Sequence, residues 1–210
     1  MQIIEGKLIF NFDCEAIKFD DSTFYRQHFS QITNGIKAVD IFAVNQEIGY
    51  LIEIKDYTDP NTKSLTMKEL IEIVINKVIS TLAAILPMKI NVNNSARERK
   101  IARHFLMANE IKVIVHIELP PKRRTLKQSN WDLSNLQIQL GRKLKAIDAH
   151  PKVVSKDELP NLPWVVKSTK KIRIVASVGW VDKPTLPSSN TSNLKCYTHY
   201  TPKISPYFLK

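Results

Sequence analysis

Two neighbouring apolar segments, each interrupted by charged residues, constrain the fold of this 210-residue chain most strongly. The segment at residues 36–44 reads IKAVDIFAV, and the segment at residues 49–57 reads GYLIEIKDY. Both are rich in β-branched and aromatic residues, which favour strands. Because only a short polar stretch around Gln46 and Glu47 separates them, the two segments predict a β-hairpin.

The hairpin would place two carboxylates opposite each other if it is symmetric about that short polar turn. Asp40 then faces Glu53, and Lys55 lies on the same side as Glu53 because side chains alternate along a strand. Facing side chains are about 4.5–5.5 Å apart. Two carboxylates held so close in an apolar surrounding are unfavourable unless a proton or a cation lies between them. A shift of one residue in the register would separate them.

A divalent cation would remove this conflict, and the chemistry of the three side chains suits one. Asp40 and Glu53 offer the hard oxygen ligands that Mg²⁺ prefers, and Mn²⁺ would serve as well. Such an ion would lower the pKa of a bound water and offset the charge that builds up on a phosphodiester. Lys55 would orient or activate that water, or neutralise the phosphorus centre.

The rest of the sequence predicts alternating helices and strands, and therefore a mixed α/β domain. Capping residues or apolar stripes indicate the helices, and Asp20 or Asp21 would cap the first and Pro87 would end the second. The predicted helices cover residues 21–32, 66–86, 95–108 and 133–148. The predicted strands cover residues 7–12, 36–44, 49–57, 111–119, 152–154 and 172–181. We expect one domain at residues 1–182 and an irregular tail, rich in Pro, Ser, Thr and Asn, at residues 183–210.

The spacing of the charged residues resembles the motif of the PD-(D/E)xK nuclease-like superfamily. A Val-Asp pair ending at Asp40 is followed by twelve residues and then by Glu-Ile-Lys, Glu53 to Lys55. The resemblance covers residues 20–120 and implies a restriction-endonuclease-like mixed sheet flanked by helices. It also implies a metal-dependent phosphodiesterase with Asp40, Glu53 and Lys55 as its motif residues, similar to restriction endonucleases, Holliday-junction resolvases and DNA-repair nucleases.

Two departures from the superfamily's pattern concern the residues around the motif. Val39 stands where the motif has proline, a change that many relatives tolerate. The first helix of such proteins often carries a further acidic ligand, but the predicted helix here has none. Glu15, Asp20 or Asp21 would have to substitute from just upstream.

Three further residues have both a functional and a structural interpretation. Lys77 lies on the helix after the second strand, and similar helices in the superfamily often donate a Lys or Gln to the site; a solvated position on an amphipathic helix is favoured here. His116 is more typical of a structural histidine than of a catalytic one. Glu118, two residues later, is expected at the rim of the domain.

The charge of the chain favours a polyanionic partner. Its formal net charge is +11 and its pI is about 9.6, which suits nucleic acid or an anionic membrane surface. Basic clusters follow the motif, and phosphate contacts are predicted for Lys122, Arg123, Arg124, Lys127, Arg142 and Lys143. A solvated surface explains each cluster equally well.

No membrane role is expected, because the most apolar helix is interrupted by Glu72, Asn76 and Lys77. The first residues do not resemble a signal peptide, and the two cysteines match no metal-binding spacing. These observations favour a cytoplasmic location.

Three functional hypotheses remain at this stage. The first is a Mg²⁺- or Mn²⁺-dependent nuclease, with DNA favoured over RNA as the substrate. A homodimer would suit the cutting of both strands of a duplex. The second is a catalytically inactive module on the same fold that binds nucleic acid or a larger complex. The third is a basic protein whose Glu53–Lys55 strand is an exposed face of an edge hairpin, with no role in nucleic-acid binding.

Overall fold

A computed structural model of the chain describes residues 1–91, 93, 95–120, 132–159 and 161–169, all within one compact unit, Met1–Lys171. The described strands are β1 (Gln2–Glu5), β2 (Leu8–Phe12), β3 (Glu15–Lys18), β4 (Ile41–Asn45), β5 (Ile48–Asp56), β6 (Glu110–Glu118), β7 (Lys152–Val154) and β8 (Trp164–Ser168). The described helices are α1 (Thr23–Gln27), α2 (Met67–Ile90), α3 (Ala96–Leu106) and α4 (Leu133–Leu144). A short 3₁₀ turn, Phe29–Gln31, follows α1.

The larger of two sheets is mixed and contains the predicted hairpin. Its strand order is β3-β4-β5-β6-β7. The pairs β3/β4 and β4/β5 are antiparallel, whereas β5/β6 and β6/β7 are parallel. A parallel pair needs a crossover, and α2 and α3 supply it between β5 and β6. The predicted α/β class is therefore confirmed.

The predicted hairpin register is confirmed within the paired residues of β4 and β5. Phe42 pairs with Leu51, and Val44 pairs with Gly49. The turn lies at Gln46, which adopts a left-handed φ of 52°. The first strand begins at Ile41, five residues later than predicted, so Asp40 is the last residue before the ladder.

The two faces of the large sheet pack against different layers. On one face, Phe42, Leu51 and Val115 contact buried residues of the helices, such as Val74 and Phe105. On the other face, residues at alternate positions pack against the smaller antiparallel sheet, whose order is β1-β2-β8; these residues are Ile41, Ala43, Ile52, Ile54 and Ile114. Since Glu53 alternates with Ile52 and Ile54, its side chain lies on the helical face.

Helix α2 crosses the helical face and is longer than predicted. Thr66 and Glu69 form the expected capping box at its beginning. Pro87 does not end it, because the helix continues to Ile90. A proline removes only one helical hydrogen bond, and the buried side chain of Met88 holds the following turn in the core.

By length and composition α2 could also cross a membrane, as could the core helix of many soluble proteins. Its buried residues contact the core of the domain, as expected for a soluble protein.

The predicted first helix and the second capping box need correction. Ser22, not Asp20 or Asp21, caps α1, which ends at Gln27. Ser95 caps α3 as predicted, but the carboxylate of Glu98 does not complete the box. It instead accepts a hydrogen bond of 2.8 Å from the backbone N–H of Thr23, which joins α3 to α1.

Strands β1, β3 and β8 were not predicted, since each is only four or five residues long. The partners of β3 and β8 also lie far away in the sequence, whereas β1 pairs with the neighbouring β2. The strand predicted at residues 172–181 and the tail predicted at residues 183–210 lie outside the described residues.

Candidate active site

Four charged side chains meet on the helical face of the large sheet. Asp40 comes from the start of β4, Glu53 and Lys55 from β5, and Lys77 from α2. The Nζ atom of Lys77 lies 2.9 Å from Oδ1 of Asp40, and 2.8 Å and 2.7 Å from the two carboxylate oxygens of Glu53. The Nζ atom of Lys55 lies 2.7 Å from Oε1 of Glu53. We call these four residues the charged cluster.

Backbone contacts fix the orientation of Asp40. Its Oδ2 atom accepts a hydrogen bond of 2.6 Å from the backbone N–H of Ile54, and its carbonyl accepts one of 2.8 Å from the backbone N–H of Phe19. Because Ile54 directly follows Glu53, the first bond brings the two carboxylates together. The predicted proximity of Asp40 and Glu53 is thus present, although Asp40 lies just outside the ladder.

Thr81 joins α2 to the chain segment that carries Asp40. Its hydroxyl donates to the carbonyl of Lys77 at 2.7 Å and accepts from the backbone N–H of Val39 at 3.0 Å. Thr81 is fully buried. The Thr81 hydroxyl therefore fixes the position of Lys77 relative to Asp40, because Asp40 directly follows Val39.

The charged cluster is shielded from solvent to different degrees. Glu53 is 1% exposed, Lys77 12% and Lys55 20%, measured on the side chains. Burial and the charge of Asp40 raise the pKa of Glu53 to about 7, although Lys77 and Lys55 oppose the shift. Burial alone would lower the pKa of Lys77, but Glu53 and Asp40 outweigh it and raise that pKa. Lys55 lies at the boundary between the buried carboxylates and solvent.

Asp20 is the acidic residue upstream that interacts with the charged cluster. Burial and the charge of Asp40 raise the pKa of Asp20 to about 6. Its Oδ1 atom is buried, with no hydrogen-bond partner among the described residues. The other two upstream candidates pair elsewhere: Glu15 contacts Lys100 and His104 at 2.7 and 2.8 Å, and Asp21 contacts Lys18 at 2.7 Å.

The donor set of the charged cluster fits a small divalent cation. Oxygens of Asp40 and Glu53 converge on one point, which Lys77 Nζ occupies. Within the described residues, no group of three or more His, Cys, Asp or Glu side chains is placed to bind a metal. Mg²⁺ commonly binds through one or two carboxylates and keeps several waters, so two carboxylates are sufficient.

Lys77 was expected on the solvated side of its helix, and that expectation is wrong. Leu70, Val74, Lys77 and Thr81 are spaced by four, three and four residues, which places them on one face of α2. Leu70, Val74 and Thr81 are all buried. Lys77 therefore lies on the buried stripe of α2. The helical spacing in the sequence already indicates this buried position, whereas the charge of a lysine alone favours solvent.

His116 and Glu118 form a separate buried pair on the opposite face of the large sheet. His116 is fully buried, its ring packs edge-on against Phe10, and its Nε2 atom lies 3.0 Å from Oε1 of Glu118. Glu118 is buried as well and contacts Lys156, so the expectation of a rim position was wrong. The structural interpretation of His116 agrees with this packing.

Of the predicted phosphate-binding residues, two are described. Arg142 and Lys143 are exposed in the last turn of α4, where their charges also favour the negative end of the helix dipole. Among the described residues, no hydrogen bond or ion pair connects Arg142 or Lys143 to the charged cluster. The other four predicted residues, Lys122, Arg123, Arg124 and Lys127, lie outside the described residues.

Comparisons with known proteins provide one partial similarity. No family model matches the chain. The cysteine–tRNA ligase of Neisseria meningitidis serogroup A is 32% identical over 152 residues, which cover 64% of this chain. The match covers only 22% of the ligase, so the chain spans about a fifth of that relative's length. No solved structure matches significantly.

Proposed function

We propose that this chain is a metal-dependent nuclease of the PD-(D/E)xK type that hydrolyses phosphodiester bonds, with DNA as the favoured substrate. One observation carries the proposal: oxygens of Asp40 and Glu53 converge on a single point, with Lys55 bound to Glu53 at 2.7 Å. The order of elements supports it, since an Asp strand, a Glu-x-Lys strand, a long helix and a parallel strand follow one another.

The proposed mechanism divides the work among the residues of the charged cluster. Asp40 and Glu53 would hold Mg²⁺ or Mn²⁺. The bound ion would supply a water of lowered pKa and offset charge on the phosphodiester. The backbone N–H of Ile54 keeps Asp40 oriented. Lys55, which is partly exposed, would donate a hydrogen bond to the attacking water or to a phosphate oxygen.

The partner and location are part of the proposal. The net charge of +11 supports nucleic acid as the partner. The partial match to a tRNA ligase makes tRNA a second substrate to test beside DNA. We place the protein in the cytoplasm. A homodimer would explain double-strand cleavage, and the mass of the purified protein in solution tests it.

The test is cleavage of supercoiled plasmid, single- and double-stranded oligonucleotides and tRNA, with Mg²⁺, Mn²⁺ or EDTA. Asp40→Asn and Lys55→Met should each reduce metal-dependent cleavage at least about 100-fold. Glu72→Gln and Lys68→Met make the same chemical changes at exposed positions of α2 and should cleave like the wild type. Equal cleavage by all five proteins would refute the assignment of the site.

One observation favours the second candidate, an inactive module that binds nucleic acid. Lys77 and Lys55 together already balance the charges of Asp40 and Glu53, so the charged cluster is stable without a metal. This candidate predicts that no substrate is cleaved and that a DNA duplex binds equally well in Mg²⁺ and in EDTA. Filter binding in both solutions, beside the cleavage assay, distinguishes the two functions.

A further inference from the structure

Lys77 occupies the position at which the carboxylates of the proposed metal site converge. Its Nζ atom makes three contacts of 2.7–2.9 Å with Asp40 and Glu53. A Mg²⁺ ion on the same oxygens would lie about 2.0–2.1 Å from each. An ammonium and a divalent ion cannot both occupy this space, because they overlap and carry charges of the same sign.

The charges lead to the same conclusion. Asp40 and Glu53 supply two negative charges, and Lys55 and Lys77 supply two positive charges, so the charged cluster is balanced when all four are ionised. Adding a divalent ion leaves an excess of two positive charges in a buried position, which is costly. The ion binds well only if Lys77 leaves and finds another anion.

A phosphodiester beside the metal would be such an anion. Lysine has a flexible four-carbon stem, and its ammonium binds phosphate as a point charge. Lys77 is anchored by its backbone carbonyl to Thr81, so its side chain can move while α2 stays in place.

We propose that Lys77 competes with the divalent metal for Asp40 and Glu53, and that a nucleic-acid phosphate releases the site by attracting Lys77. This inference rests on the proposed nuclease function. It makes Lys77 a positioning residue that prevents the metal from binding in the absence of substrate. Because coupling between two ligands is reciprocal, metal and nucleic acid would raise each other's affinity, by about 5–150-fold for typical coupling.

The first experiment measures Mn²⁺ binding to the free protein by isothermal titration calorimetry. Lys77→Met keeps the length of the side chain and removes its charge, and it should bind Mn²⁺ at least about tenfold more tightly than the wild type. Lys68→Met removes the same charge from an exposed position of α2 and should bind like the wild type. Circular dichroism establishes that each variant is folded.

The second experiment repeats the titration in the presence of a short DNA duplex. The duplex carries phosphorothioate linkages to prevent cleavage, and a gel run afterwards establishes that it is intact. The duplex should raise the Mn²⁺ affinity of the wild type about tenfold and that of Lys77→Met much less. The wild-type half of this comparison needs no variant, so an unchanged wild-type affinity overturns the competition even if Lys77→Met does not fold.

The outcomes separate this inference from the proposed function. Equal Mn²⁺ affinity of wild type and Lys77→Met, or a wild-type affinity that the duplex leaves unchanged, overturns the competition but leaves the metal site in place. No Mn²⁺ binding to either protein, with or without the duplex, overturns both.

Discussion

The buried carboxylate of Glu118 accepts hydrogen bonds from three groups. Its Oε1 atom lies 3.0 Å from Nε2 of His116 and 2.6 Å from the backbone N of Lys156, and its Oε2 atom lies 2.9 Å from the Nζ atom of Lys156. Burial alone would raise the pKa of Glu118, but the hydrogen bonds from His116 and Lys156 outweigh it and lower the pKa to about 2. Glu118 therefore stabilises the fold in its ionised form.

This shift predicts a dependence of stability on pH. The pKa is lower in the folded state than the ordinary 4.5, so the contribution is complete above about pH 5 and is lost as the pH falls towards 2. Glu118→Gln should lower the free energy of unfolding by about 2 kcal/mol at pH 7 and have little effect near pH 2. Urea denaturation at several pH values measures this.

Glu110→Gln is the matched control, because Glu110 is an exposed acid at the start of the same strand. Its effect should stay within about 0.5 kcal/mol at every pH. A loss of stability in Glu118→Gln that does not vary with pH would contradict the role of the ionised carboxylate.

At the scale of elements, α2 and the start of β4 are joined through Thr81. Thr81→Val keeps the shape of the side chain but leaves the N–H of Val39 without its partner. We expect the free energy of unfolding to fall by about 1–3 kcal/mol, measured by urea denaturation. Cleavage should fall as well, since Asp40 follows Val39.

Thr81→Ser retains the hydroxyl and should lose less than half as much stability as Thr81→Val. If Thr81→Val loses little stability and Thr81→Ser loses more, the methyl group and not the hydrogen bond of Thr81 joins these elements.

The packing of α3 against β5 gives a second prediction at this scale. A Cβ atom added at Gly49 would lie 2.6 Å from the ring of Phe105, which is buried and packs edge-on against Phe42. Gly49→Ala should therefore lower the free energy of unfolding by about 1–3 kcal/mol in thermal or urea denaturation.

The double variant Gly49→Ala with Phe105→Leu supplies the control for this contact. A smaller residue at position 105 makes room for the added methyl group, so the two changes together should cost less than the sum of the single changes. Strict additivity would mean that Gly49 is required for another reason.

How much of the site was predictable depended on the distance in sequence between its residues. Asp40, Glu53 and Lys55 belong to one hairpin, whose alternation and central turn were sufficient to predict their proximity. The contact of Lys77 spans 24 and 37 residues, and it depends on how α2 crosses the sheet. Local patterns contain no information on that crossing angle, so only the position of Lys77 on the apolar stripe pointed to the site.

The same distinction applies to the sheets. The large sheet was partly predictable, because β4 and β5 are neighbours in sequence. The small sheet was not, because β2 pairs with β8 about 150 residues later, at Phe12 and Trp164 among others. The second apolar layer covers Ile52 and Ile54 on the sheet face opposite the helices. Its formation depends on this long-range pairing.

At the scale of the whole molecule, the net charge predicts binding that depends strongly on salt. Replacing both Arg142 and Lys143 by Gln should weaken binding of a DNA duplex in EDTA and reduce the slope of log affinity against log salt by about 2. Fluorescence anisotropy over a range of KCl concentrations measures the slope.

Arg26→Gln removes an exposed charge from α1 and should change that slope by less than half as much as the double variant. An unchanged slope in the double variant would place the phosphate contacts elsewhere on the molecule.

The pairing of β2 with β8 also affects the synthesis of the protein. Phe10 and Phe12 are buried against Trp164 and Val166, which the ribosome adds some 150 residues later. At 5–20 residues per second, the nascent chain would expose these phenylalanines for about 8–30 s before β8 emerges. During that time the antiparallel pair of β1 and β2 has an open edge and an apolar face, which is the kind of surface that chaperones recognise.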